Sequence, residues 1–216
     1  MSDIRTDFTA CIAAGGDTLK KRIEAAAQCY SPQSAEYFGS LCMRYGRGFE
    51  ENACGFLLLD SLLQRYGINT SELIIKCGEN GRPFIENRTD LDFSISYSEG
   101  GVLCSIALGE GASVGADIQR VRVYSHEKLH QLASAFMSES DYCELEGISD
   151  SGERLDCFYT LWTRREAYIN RIGADIFADL SGVALDTDDF TGGTISIGGA
   201  KYYYSINTVA EKENDT

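Results

Sequence analysis

The stretch LDFSISYSEGGVLCSIAL, from Leu91 to Leu108, alternates apolar and polar residues before Glu99-Gly100-Gly101 and resumes an apolar pattern after it. A period of two belongs to a strand, whose successive side chains point to opposite faces, and paired glycines supply the positive φ of a tight turn. The segment therefore reads as two antiparallel strands. Just upstream, LIIKCG (73–78) and PFI (83–85) read as shorter strands around Glu79-Asn80-Gly81. Further upstream the period becomes helical. Ser31-Pro32 supplies an N-cap with proline at the first helical position, followed by Tyr37, Leu41 and Tyr45. A second helix is expected over about 50–66, with Phe56, Leu59, Leu63 and Tyr66 on one side and Gly67 to stop it.

The second half repeats this texture. SVGADIQ (113–119) reads as a strand, helices are expected over 126–136, 138–146 and 153–172, and TISI and KYYYSI flank Gly198-Gly199 as a hairpin. The order of elements repeats, although no sequence repeat is visible. The expected class is α+β, with two similar-sized lobes, 1–110 and 111–216, joined near Gly109–Ala112. The polar terminus VAEKENDT is expected to fray.

The chain has 216 residues, 44% of them hydrophobic, which is enough to bury a real core. With 33 acidic residues against 19 basic ones the net charge is −14. Such a field repels phosphate backbones and anionic bilayers, so nucleic-acid and membrane binding are not expected. The most apolar run, FLLLDSLL, is broken by Asp60 and falls short of a membrane span. The first thirty residues carry Asp3, Asp7, Asp17 and Glu24 and do not resemble a signal peptide. Eight scattered cysteines without a C-x-x-C pair fit small buried thiols in a reducing compartment, so a cytoplasmic location is expected.

Three local patterns could carry chemistry. Asp117 and Gln119 lie on one face of their strand with Ile118 pointing inward, a pair of hard oxygen donors suited to Mg²⁺. The same spacing also fits a strand-end aspartate that accepts backbone hydrogen bonds. In FYTLWTRREAYINRIG (158–173), helical spacing sets Trp162, Glu166 and Asn170 on a common side beside Arg164 and Arg165. Taken alone, that segment fits a solvated amphipathic helix with local ion pairs better than a metal site. His126-Glu127-Lys128-Leu129-His130 satisfies the zinc-peptidase pattern H-E-x-x-H but lacks its extended continuation, and is expected to be a polar helix start.

In sequence, GRPF, FSISYS, VGADIQ and FYTLWTRREAYINR resemble the surfactin-type 4′-phosphopantetheinyl transferases, whose pattern runs G-K-P, F-N-x-S-H-S, V-G-I-D-x-E, then W-[ST]-x-K-E-[AS]-x-x-K. The resemblance covers about 50–172. It implies a pseudo-dimer of two α/β lobes, each of antiparallel strands packed with helices, with coenzyme A bound in the cleft between them. It also implies Mg²⁺-dependent transfer of phosphopantetheine from coenzyme A to a serine of an acyl or peptidyl carrier protein. A catalytically degenerate relative that only binds coenzyme A or a carrier is the alternative.

Carried over by position, Asp117, Gln119 and Glu166 would hold the metal, and Glu166 would accept the serine proton. Arg165 stands where the family has a lysine that neutralises the transferring phosphate, and counts as both catalytic and coenzyme-binding. Arg82 and Pro83 match the segment near the adenine and phosphates, while Ser96 and Tyr97 match the serine-histidine pair that touches the coenzyme phosphates. Departures are Tyr97 for histidine, Gln119 for glutamate and Asn170 for lysine. For the 3′-phosphate, Arg44 and Arg47 are candidates where Glu51 takes the family's arginine position before Gly55. The basic run Arg120-Val121-Arg122 is a candidate carrier-docking point, equally readable as solvated charges near carboxylates. A monomer is expected, because the two-lobed type contains its own cleft.

Overall fold

The computed structural model describes residues 4–13, 17–42, 47–78, 81–174 and 185–210. Strand β1 (Arg5–Ile12) precedes helices α1 (Asp17–Ala27), α2 (Pro32–Cys42) and α3 (Arg47–Arg65), then β2 (Ile75–Cys77), β3 (Pro83–Ile85), β4 (Leu91–Ser98) and β5 (Gly101–Leu108). The second half runs β6 (Ala112–Arg120), α4 (His126–Phe136), α5 (Glu139–Gly147), α6 (Ser151–Ile172), β7 (Phe190–Ile197) and β8 (Ala200–Ala210). All strand pairings among the described residues are antiparallel, and the architecture is α+β as expected.

The two main sheets share one topology. Their orders are β1-β5-β4 and β6-β8-β7, so in each the last strand of the half lies between the first and the penultimate. Helices cover the outer face of each sheet. Phe56, Leu59, Leu62 and Leu63 of α3 meet Phe93, Val102, Cys104 and Ile106 of the first sheet, while Phe158, Tyr159 and Leu161 of α6 meet Tyr203 of the second. Between the sheets lies a third core, in which Leu103 and Ala107 of β5 pack with Val114, Ala116 and Ile118 of β6 and Tyr202 and Ile206 of β8. The period of two sorts these contacts: even residues of β5 face the helices and odd ones face the other sheet.

Local chemistry sets the helix ends. Ser125, Ser138 and Asp150 cap α4, α5 and α6 by accepting backbone N–H bonds, and Gly173, in the left-handed region at φ 64, terminates α6. Ser125 takes the Lys128 N–H, so the H-E-x-x-H segment is the start of α4. Two elements were not anticipated, β1 and α1. Tyr45, Arg44 and the polar tail after Ala210 lie outside the described residues. The cysteine expectation needs correcting, since Cys29, Cys77 and Cys143 are exposed and only Cys54 and Cys104 are buried among those described. No helix among the described residues is long and apolar enough to cross a membrane.

What joins the halves is a side-chain seam. One edge of β6 pairs with β8, and its other edge faces β4 without a backbone ladder. The N–H groups of Val114, Ala116, Ile118 and Arg120 donate instead to Asp92 Oδ2 (2.8 Å), Ser94 Oγ (3.0 Å), Ser96 Oγ (3.3 Å) and Ser98 Oγ (3.1 Å). Alternation along β4 puts all four acceptors on one face, and so they satisfy a strand edge that burial would otherwise leave unpaired.

Candidate active site

On β6, Gly115, Asp117 and Gln119 share the face opposite Ile118, whose side chain enters the inter-sheet core. That face meets α6. A Cβ on Gly115 would lie 2.0 Å from the Ala167 carbonyl oxygen and 2.3 Å from the Arg171 nitrogen, so only glycine lets strand and helix come this close. The approach sets Asp117, 3% exposed, beside Glu166.

The pair is electrostatically strained. Burial, and then the charge of Glu166, pushes the Asp117 carboxyl up to about 7. Hydrogen bonds from Ser96, Gln119 and the Ile118 backbone pull the other way. Burial likewise raises Glu166, against a hydrogen bond from the Trp162 side chain one turn earlier. Ser96 Oγ donates to Asp117 Oδ1 at 2.9 Å, and Gln119 Nε2 donates to Asp117 Oδ2 at 3.2 Å. Gln119 Oε1 accepts from Ser98 Oγ at 3.3 Å.

Among the described residues no three His, Cys, Asp or Glu side chains converge as a metal-holding group, which also leaves His126 and His130 without such a cluster. Two carboxylates and an amide are nevertheless hard oxygen donors, and a buried carboxylate apposed to a half-buried one fits a divalent cation. The donor set of Asp117, Glu166 and Gln119 thus suits Mg²⁺, although the Gln119 amide presents its nitrogen to Asp117 here.

A pocket of about 180 Å³ lies beside this site, lined by Arg82, Pro83, Ile95, Tyr97, Asn170 and Gly173 among others. It opens between the β3–β4 region of the first half and the C-terminal end of α6. Arg82 Nη2 donates to Asp92 Oδ2 (2.8 Å) and the Val114 carbonyl (3.0 Å), while its Nε is buried without a partner. Tyr97, 40% exposed on the α3 side of β4, donates to Asn52 Oδ1 at 3.0 Å.

The structure thus gathers Asp117, Gln119 and Glu166 in one cluster and Arg82, Pro83 and Tyr97 around the pocket. Two expectations are redirected. Ser96 points to Asp117 rather than into the pocket, because its position on β4 puts it on the β6 face, opposite Tyr97. Arg165 is buried in an ion pair with Asp141 of α5, with Nε and Nη2 both within 2.7 Å of Asp141 Oδ2. Its neighbour Glu166 lies about 100° away around the helix, which is why adjacent residues serve different surroundings. Arg44 lies outside the described residues, as does the side chain of Arg47. Arg120 and Arg122 both face Glu99, at 3.7 Å and 2.6 Å.

Sequence reasoning missed the seam residues Asp92, Ser94 and Ser98, although a polar residue at every second position of β4 was the available signal. It also left Asn170 as a mere departure, whereas Nδ2 donates to the Ala116 carbonyl at 2.9 Å.

Residues 113–215 match the sequence model of the 4′-phosphopantetheinyl transferase superfamily. Among curated proteins, the chain is 30% identical over 138 residues to 4′-phosphopantetheinyl transferase Sfp of Bacillus subtilis (strain 168), covering 63% of this chain and 55% of that protein. It is 28% identical to 4′-phosphopantetheinyl transferase gsp of Aneurinibacillus migulanus, over 60% of this chain and 51% of that one. A longer match, 21% identical over 88% of this chain and 63% of the other, is to the L-aminoadipate-semialdehyde dehydrogenase-phosphopantetheinyl transferase of Xenopus laevis. The chain spans about half the length of the first two relatives.

Proposed function

We propose that this member of the 4′-phosphopantetheinyl transferase superfamily moves phosphopantetheine from coenzyme A to a serine of an acyl or peptidyl carrier protein, acting as a cytoplasmic monomer with Mg²⁺. The observation that carries the reading is the apposition of buried Asp117 and half-buried Glu166 beside a pocket between the halves. We read those halves, 1–110 and 111–216, as the lobes of a pseudo-dimer, a reading supported by their shared strand order.

In the reaction, the serine oxygen bonds to the β-phosphorus of coenzyme A, the bond to the bridging oxygen breaks, and adenosine 3′,5′-bisphosphate leaves. Asp117 and Glu166 would hold Mg²⁺, with Gln119 as a third donor once its amide is turned. The bound ion would neutralise charge on the pyrophosphate. Glu166 takes up the serine proton, directly or through a water. Arg82, with an unpartnered Nε, and Pro83 and Tyr97 bind the coenzyme from the first-lobe side. Tyr97 brings a neutral hydroxyl where the family pattern has a titratable ring. Arg165 is the cation we assign to the transferring phosphate, and taking that role means exchanging Asp141 for phosphate. Arg120 and Arg122, at the end of the metal-bearing strand, offer the carrier a basic docking point on an otherwise acidic protein.

Intact-mass measurement of apo carrier proteins incubated with coenzyme A and Mg²⁺ tests the proposal. Wild-type protein should add one phosphopantetheine, and Glu166→Ala should lose transfer while melting like the wild type. Coenzyme A binding without transfer to any carrier would favour the non-catalytic relative, and undiminished turnover by Glu166→Ala would remove that residue from the mechanism.

A further inference from the structure

Two links of the inter-half seam bracket Asp117. The residue after it, Ile118, gives its N–H to Ser96 Oγ at 3.3 Å, and the same hydroxyl donates to Asp117 Oδ1 at 2.9 Å. One proton and one lone pair of a single serine therefore fix both the backbone and the carboxylate of the acidic residue. The residue before it, Ala116, gives its N–H to Ser94 Oγ at 3.0 Å, and its carbonyl accepts from Asn170 Nδ2 at 2.9 Å.

Asn170 stands one helical turn beyond Glu166 on α6, so its amide ties the helix that carries one carboxylate to the strand that carries the other. Between these links the Gly115 contact leaves no slack, since even a methyl group there would overlap the backbone of Ala167 and Arg171. Strand and helix are thus registered at two points, by close backbone contact at Gly115 and by the Asn170 amide, while Ser96 holds the strand and its carboxylate from across the seam.

We propose that Asn170 and Ser96 are positioning residues that set the separation of Asp117 and Glu166, and through it the affinity of that pair for a divalent cation. The proposal rests on the metal reading above. It also gives the departure at position 170 a reason. A lysine there would carry a charged, flexible head into the pocket, whereas asparagine is short enough to spend its amide on the strand. Neither residue needs to touch the coenzyme for this role, which separates it from simple pocket lining. The hydroxyl of Ser96 is already committed in both directions.

The test reads metal binding without coenzyme. Mn²⁺ is titrated calorimetrically into wild-type protein and into Asn170→Ala, Ser96→Ala and Ser96→Thr, with melting midpoints measured in the same buffer. Asn170→Ala removes the N–H that reaches the Ala116 carbonyl without adding charge beside the carboxylates, and Ser96→Ala removes the hydroxyl that Thr keeps. Affinity should fall roughly 10- to 100-fold in Asn170→Ala and Ser96→Ala, as loss of groups that orient metal ligands does elsewhere, and Ser96→Thr should restore most of it. A merely structural role would lower the melting midpoint and leave the affinity of the folded fraction unchanged, which overturns the assignment. If Asn170→Ala does not fold, the Ala and Thr variants of Ser96 decide between these outcomes. Wild-type protein that binds no Mn²⁺ overturns the metal reading and this assignment together, whereas wild-type binding that every variant retains overturns the assignment alone.

Discussion

Gln119 is the residue on which the character of the site turns. Where the family pattern has a third carboxylate, this chain has an amide whose nitrogen donates to Asp117 and whose oxygen accepts from Ser98. Without a cation that arrangement relieves the Asp117–Glu166 repulsion, and a carboxylate in its place would add to it. Gln119→Glu should therefore lower the melting midpoint of the metal-free protein, the lost donor costing about 1–3 kcal/mol. In saturating Mg²⁺ the order should reverse, because an added ligand charge deepens binding and a bound ion stabilises the folded state by mass action. Thermal melts with and without Mg²⁺ check both halves, and equal midpoint shifts in variant and wild type would mean that position 119 does not touch the ion. Asp117, Gln119 and Glu166 were legible because their spacing on a strand and a helix is a local property. The partners of Ser96 and Arg165 were not, since Asp117 and Asp141 reach them from 21 and 24 residues away in the chain.

At the level of elements, legibility followed the same line between local and distant causes. The hairpin β4–β5, the strand β6 and the long helix α6 carry their own periodicity, turns and caps, and each appears within a few residues of its expected bounds. Strand β1 does not. RTDFTACI has Asp7 and Cys11 in its alternation, and what makes it a strand is its pairing with β5, Arg5 opposite Leu108 and Ile12 opposite Gly101. The contact of β6 with α6 was equally invisible, although Gly115 marks it. Gly115→Ala must push a helix backbone away from a strand, and should cost about 1–3 kcal/mol or more. Gly55→Ala should cost less, because there the nearest obstacle is the Ile95 side chain at 2.6 Å rather than backbone. Urea unfolding of the two variants compares them directly, and a Gly115→Ala no weaker than Gly55→Ala would show that the β6–α6 approach has room to relax.

For the whole molecule, the repeated order of elements in the sequence has its counterpart in two sheets of identical strand order. What the repetition could not reveal is how the halves are joined. The pocket and the acidic pair both depend on that junction: Arg82 and Ser96 come from the first half, Asp117, Glu166 and Asn170 from the second. Two kinds of interaction hold it together. One is the apolar layer between the sheets, in which Leu103, Val114, Ala116, Ile118 and Ile206 are all essentially buried. The other is the seam, whose N–H groups on β6 would be orphaned if the halves parted. Because separation would expose the first and unsatisfy the second, neither half should persist when the other unfolds. Calorimetry should accordingly show one transition whose van't Hoff and calorimetric enthalpies agree, and Leu103→Ala, a truncation within the shared layer, should lower that single transition by about 2–5 kcal/mol without splitting it. Two resolved transitions in the wild type would mean that each half is stable on its own helix-covered core, and that the seam orients the carboxylates without contributing to the fold.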